Sequence, residues 1–217
     1  MRTIFLLIVL LAGLTCISQG APLSSDELKN LLASIRQNRS TQADFQEQRV
    51  IRLMKNPVQS SGTVWFQTPN KFRREVKGTS PSTTVSDGRN LWIYYPNFKS
   101  AERYPLGKGS PLDATVAAIN SALNLENIES SFNVTAAKSD NGHELQLLPR
   151  TAAMKRVFQK LDLRIDSEFR VERTDMLLPN GDRIVTNYSN QKRAGIPAST
   201  FEFKPPAGTE VNTPLGQ

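Results

Sequence analysis

Two hydrophobic periods alternate along this chain, and their boundaries fall on residues that cap helices or turn strands. Ser24-Ser-Asp-Glu27 has the spacing of a capping box, and Leu28, Leu31, Leu32 and Ile35 follow at helical intervals. That pattern predicts an amphipathic helix ending near Asn38. From Ala43 to Met54 an extended segment places Phe45, Ile51 and Leu53 on one parity, and Asn56-Pro57 ends it. Gly62 to Leu106 is the organising stretch, rich in aromatic and β-branched residues and broken at Pro69-Asn70, Gly78 and Asp87-Gly88. Asp87-Gly88 between apolar runs predicts a hairpin with a type I′ turn. The period then returns to helical. Ser110-Pro111 supplies an N-cap with proline at the first helical position, ahead of Leu112, Val116, Ile119 and Leu123. Strands resume at Phe132, turn at Asp140-Asn141-Gly142 and Pro179-Asn180-Gly181-Asp182, and close with Thr200-Phe-Glu-Phe-Lys204. The reading is an α+β fold of about ten strands and two principal helices, a single domain with no repeat.

The first twenty residues stand outside that fold. Arg2 precedes an unbroken apolar run from Ile4 to Leu14, and Ser18-Gln19-Gly20 provides small residues for cleavage before Ala21. Residues 1–20 are therefore expected to be a secretory signal peptide and residues 21–217 the mature domain. The run is shorter than the roughly 20 residues a spanning helix needs. The sole cysteine, Cys16, lies in the leader, so the mature chain has neither a disulfide nor a thiolate ligand. Net charge is +7, of which Arg2 contributes one. The densest basic cluster, Lys71-Phe72-Arg73-Arg74, reads as a solvated strand face, and no stacking motif supports nucleic-acid binding.

Catalytic chemistry finds no constellation. The single histidine, His143, shares strand parity with Leu145 and Leu147, which suits a structural role better than a metal site. No serine lies in a nucleophile elbow, and Asp162, Asp166 and Glu172 fall on the polar parity of amphipathic strands. Neither enzyme activity, a metal nor another cofactor is expected, so binding is the better class of function.

The ordered motifs resemble the periplasmic outer-membrane lipoprotein carrier (LolA) family. They are Ala43-Asp-Phe-Gln-Glu-Gln48, Gly62-Thr-Val-Trp65 with Thr68-Pro69-Asn-Lys-Phe72, Val85-Ser-Asp-Gly88 with Leu91-Trp-Ile-Tyr-Tyr-Pro96, and Phe201-Glu-Phe-Lys-Pro-Pro206-Ala-Gly208. The resemblance implies an unclosed antiparallel β-barrel with helices forming a lid over an apolar cavity. It further implies a monomeric carrier of acylated lipoproteins between an inner-membrane ABC transporter and an outer-membrane acceptor. A related periplasmic lipid- or glycolipid-binding module is the alternative, and a lipid hydrolase a distant third. By parity Val64 and Phe66 share the inward face, with Phe72, Leu91 and Ile93 in the cavity wall and Leu112, Val116, Ile119 and Leu123 on the lid helix. One position departs from the family: Thr68 stands where an arginine typically locks the lid, and a threonine cannot offer several donors across a cavity.

Overall fold

A computed structural model of the chain describes residues 21–37, 40–106, 128–193 and 195–214. Helix α1 (Ser25–Arg36) starts where its sequence places it. The Ser24 hydroxyl accepts from the Glu27 backbone N–H at 3.3 Å, and the Glu27 carboxylate accepts from the Ser24 N–H at 2.9 Å. Two donors that a helix start leaves orphaned are thereby satisfied. Its apolar stripe buries Leu31, Leu32 and Ile35, with Leu28 half-buried beside them.

Among the described residues twelve strands form one sheet. In chain order these are β1 (Ser40–Val50), β2 (Val58–Gln67), β3 (Lys71–Lys77), β4 (Ser82–Ser86), β5 (Asn90–Tyr95) and β6 (Ser100–Pro105). β7 (Phe132–Ser139), β8 (Gly142–Pro149), β9 (Lys160–Asp166), β10 (Val171–Leu177), β11 (Arg183–Lys192) and β12 (Glu210–Asn212) follow. The order is β12-β6-β5-β4-β3-β2-β1-β11-β10-β9-β8-β7, and every pairing is antiparallel except β12 with β6. The two ends of that order do not pair, so the barrel is unclosed. Residues 21–23 partly cover the β7 edge, with Leu23 donating to Ala136 O at 2.8 Å and Lys138 donating to Ala21 O at 3.4 Å. Covering a strand edge in this way removes a template for unwanted pairing.

Period-two burial divides the inner face into two apolar clusters. α1 packs Leu31, Leu32 and Ile35 against Phe132, Leu145, Leu147, Leu161, Leu163 and Ile165 of β7–β9. The second cluster is Ala43, Phe45, Val64, Phe66, Phe72 and Leu91, contributed by β1, β2, β3 and β5. Gly62 makes the second possible. A Cβ there would lie 1.7 Å from the Glu75 carbonyl oxygen and 2.9 Å from the Phe45 ring, so only glycine lets that ring lie across β2.

Several local expectations change. The Asp87-Gly88 turn is not type I′: only Gly88 has positive φ, and the Asp87 carboxylate instead accepts from the backbone N–H groups of Arg89 (2.7 Å) and Asn90 (2.6 Å). The Phe45 parity does not continue to Leu53, because β1 ends at Val50 and the chain turns through residues 51–57. The closing strand at residues 200–204 is absent. Residues 198–201 are a 3-10 turn, and the pairing is made later by β12.

Candidate functional site

The inner face of β1–β5 is built from the parity of five strands in fixed register. Val64 lies opposite Ala43 and Arg74, Phe66 opposite Phe72, and Ser86 opposite both Phe72 and Leu91. Of the expected wall residues, Val64 (3% exposed), Phe66 (9%), Phe72 (3%) and Leu91 (4%) come together with Ala43 and Phe45 in one apolar patch. Ile93 shares their face two positions beyond Leu91, but it is half-buried and lies outside the cluster. Leu112, Val116, Ile119 and Leu123 lie outside the described residues.

Thr68 sits in the β2–β3 turn, half-buried, on the parity of Val64 and Phe66. That turn interlocks with the β4–β5 turn: Ser86 Oγ donates to Asn70 O at 3.1 Å, and a Cβ on Gly88 would meet the Asn70 side chain at 2.6 Å. The position is thus the lip of the patch, fixed by backbone and glycine chemistry.

Parity also carries charge inward, which corrects the reading of Lys71–Arg74 as a solvated face. Arg74 follows Phe72 onto the inner face, where its Nη2 lies 3.0 Å from Glu47 Oε2 and its guanidinium stacks 4.3 Å from the Phe45 ring centroid. Nη2 is buried and not aligned for a hydrogen bond, so the pair is held by charge and the ring face. Glu47 also accepts from Ser60 Oγ and Thr186 Oγ1, each at 3.4 Å. Burial raises the neighbouring Tyr188 phenol above its ordinary range. Glu102 and Tyr104 form a second polar pair on β6, separated by β4 and β5 from the belt of Glu47, Arg74 and Tyr188. Tyr104 donates to Glu102 at 2.7 Å, and burial followed by that bond pushes its pKa up to about 12. Polar groups therefore sit among the apolar ones, with Arg74 opposite Val64 and Tyr104 opposite Leu91. Arg73, on the opposite parity, pairs with Glu75 at 2.7 Å and donates to Thr200 O at 3.2 Å, fastening the C-terminal segment outside. There Phe203 packs between Trp92 (5.5 Å) and Tyr94 (5.6 Å).

Of the three carboxylates on the polar parity of the amphipathic strands, Asp166 and Asp162 have structural partners and Glu172 is exposed. Asp166 is 7% exposed rather than solvated, and accepts from the N–H groups of Glu168 and Arg170 and from Arg170 Nε at 2.6 Å, closing the β9–β10 turn. Asp162 pairs with Lys160 at 2.7 Å. Glu172 lies next to the β9–β10 register shift. His143 stacks on Phe169 with ring centroids 6.4 Å apart, and burial, aided by Lys138, lowers its pKa. Among the described residues no cluster of three or more metal-ligating side chains occurs. The arrangement is a covered apolar patch with hydrogen-bonding and charged side chains beside it. The inner Arg74–Glu47 pair was the feature missed by sequence reasoning; its signal was the shared parity of Phe72 and Arg74.

Comparison with known proteins agrees with this geometry. The family model described as outer membrane lipoprotein carrier protein LolA matches residues 36–204. An outer-membrane lipoprotein carrier protein of Methylibium petroleiphilum is 30% identical over 200 residues, covering 90% of this chain and 93% of that protein. One from Dechloromonas aromatica is 28% identical over 211 residues, covering 96% and 93%. A structure from Thermus thermophilus, described as an uncharacterized conserved protein, superposes with a TM-score of 0.53 at 15% identity, covering 86% of this chain and 99% of that one. A barrel left open along one seam, a tightly packed apolar patch on its inner face and a family match across most of its length together place this chain in the outer-membrane lipoprotein carrier (LolA) family.

Proposed function

We propose that the mature domain, residues 21–217, is a periplasmic, non-enzymatic carrier that shields the acyl chains of lipoproteins and moves them from the inner to the outer membrane. The observation that carries this is the patch of Ala43, Phe45, Val64, Phe66, Phe72 and Leu91 on the inner face of an open sheet, in a chain of this family. Burying a dozen methylenes stabilises a complex by about 10 kcal/mol before binding costs, at about 0.8 kcal/mol each. A carrier must therefore have a competing closed state, and the lid helix expected at Leu112, Val116, Ile119 and Leu123 would provide it. An inner-membrane ABC transporter would load the carrier and an outer-membrane acceptor would unload it. The expected leader, cleaved near Gly20, would bring the chain to the periplasm; no helix among the described residues is long and apolar enough to cross a membrane.

A related lipid- or glycolipid-binding role is favoured by the Glu47–Arg74 belt, which gives the wall hydrogen-bonding capacity that acyl chains do not need. Mass spectrometry of protein purified from its native envelope separates the two. A bound triacylated polypeptide supports the lipoprotein carrier, and a free lipid or glycolipid supports the second reading. Absence of both, together with acyl-ester cleavage by the purified protein, would overturn each.

A further inference from the structure

Alternating strand direction gives the sheet two ends. One end holds the starts of β2, β4, β6, β7, β9, β11 and β12 and the ends of β1, β3, β5, β8 and β10. The seven exposed large apolar side chains among the described residues all lie there: Val50, Leu53, Met54, Val58, Phe98, Leu148 and Val211. Four of them belong to the β1–β2 hairpin tip, where Leu53 is 95% exposed and Met54 53%. Leu53 beside Met54 at a loop apex, with Phe98 (80% exposed) in the β5–β6 connection of the same end, concentrates the large exposed apolar side chains of the described residues at one end of the sheet.

The tip is built, not loose. Arg52 donates its backbone N–H to Asp182 Oδ1 at 3.1 Å, Arg49 lies 3.7 Å from Asp182 Oδ2, and Met54 N–H donates to Ile51 O at 2.9 Å. Asp182 is 5% exposed and is itself held by Asn180, so the β10–β11 turn braces the β1–β2 tip. The adjoining β3–β4 and β5–β6 connections are tied by Asn97 donating to Thr79 O at 2.9 Å.

Charge selects the occupant. Arg52, Lys55, Lys77, Lys99, Arg150, Lys155 and Arg156 are exposed at this end, and none is in an ion pair with a described residue. Of the described carboxylates near it, Asp182 is neutralised by Arg49, Glu129 by Arg36, Asp162 by Lys160, Asp175 by Arg183, Glu47 by Arg74 and Glu75 by Arg73, leaving Glu102, which accepts from Tyr104, and the exposed Glu210. Apolar side chains at an apex ringed by cations match an interface whose surface is anionic and whose interior is apolar.

We propose that this end of the sheet docks on anionic phospholipid, with Leu53 and Met54 entering the headgroup layer and the surrounding lysines and arginines facing lipid phosphates. The inference is independent of what the inner wall carries. The test uses the mature chain, residues 21–217, floated with vesicles of phosphatidylethanolamine and phosphatidylglycerol or of phosphatidylcholine alone. Wild type should float with the first and not the second, and added salt should weaken the association. The double variant Leu53→Asp, Met54→Asp should cut the floated fraction at least tenfold, with unchanged melting temperature and unchanged uptake of a fluorescent fatty acid. Leu53→Trp should show a blue-shifted emission on the anionic vesicles alone. Equal flotation of the double variant, equal flotation on phosphatidylcholine, or none at all would overturn the proposal. A concentration-dependent dimer that the double variant abolishes, without vesicle binding, would assign the patch to a second copy and overturn it equally.

Discussion

At the scale of single residues, the informative positions are those where strand parity carries a polar group inward. Arg74 of β3 and Glu47 of β1 meet across β2, about a quarter exposed, with the Phe45 ring against the guanidinium. Removing one partner leaves a charge against apolar surface, whereas removing both leaves none. Glu47→Ala should therefore lower stability by about 1–3 kcal/mol, reduced from the fully buried range because water still reaches the pair. Adding Arg74→Met should recover part of that loss. Urea unfolding of the two single variants and the double variant measures it, and strict additivity would show that the pair is not coupled. Thr68 poses a different question, because the lip of the patch carries a hydroxyl where the family resemblance expects an arginine. Thr68→Arg should favour a closed state and weaken acyl-probe binding several-fold, and titration of a fluorescent fatty acid reads the change. Unaltered affinity would remove position 68 from the control of closure.

At the scale of elements, helix α1 shows how far local rules reach. Ser24, Glu27 and the Leu31, Leu32, Ile35 stripe name the start, the cap and the buried face, all of which the structure bears out. The cap also has a titration signature. The Glu27 carboxyl is lowered from 4.5 to about 2 by the Ser24 backbone N–H, then by the Ser24 hydroxyl and by Lys138. A carboxyl whose folded pKa is depressed stabilises the fold above its unfolded value, and that stability drains away as pH falls from about 4.5 through about 2. Glu27→Gln should accordingly flatten this acid limb in melting temperatures taken across that window, while changing its slope little near neutrality. The β1–β2 hairpin shows the opposite case. Extending the Phe45 parity to Leu53 was reasonable, yet Asp182 from a distant turn captures the Arg52 N–H and ends the strand, placing Leu53 in solvent.

At the scale of the whole molecule, two apolar clusters on one inner face have different fates. The β7–β9 cluster is filled by α1 and behaves as an ordinary core. The β1–β5 cluster is the proposed acyl-chain wall, and its ligand should stabilise the folded chain by mass action. A saturating soluble acyl ligand at about a hundred times its Kd should add about 2.7 kcal/mol, visible as a rise in melting temperature that grows with ligand concentration. Phe66→Asp should abolish the rise, while the exposed pair Leu53→Asp, Met54→Asp should leave it intact. A rise that persists in Phe66→Asp would place the ligand elsewhere.

Local chemistry alone specified the capping box of α1, the period-two strands and the turns at Gly142 and Gly181. Each depends on residues a few positions apart, so spacing is enough to read it. Three-dimensional pairing decided the rest. Register brought Glu47 to Arg74, folding-back of residues 198–204 set Phe203 on Trp92, and one buried aspartate fixed where β1 stops. Alternation says which residues share a face but not which face turns inward, nor which distant charge will meet it there. That choice belongs to the curvature of the assembled sheet. It made an apparent basic surface cluster half interior, and left the most exposed leucine of the described chain at one end of the barrel.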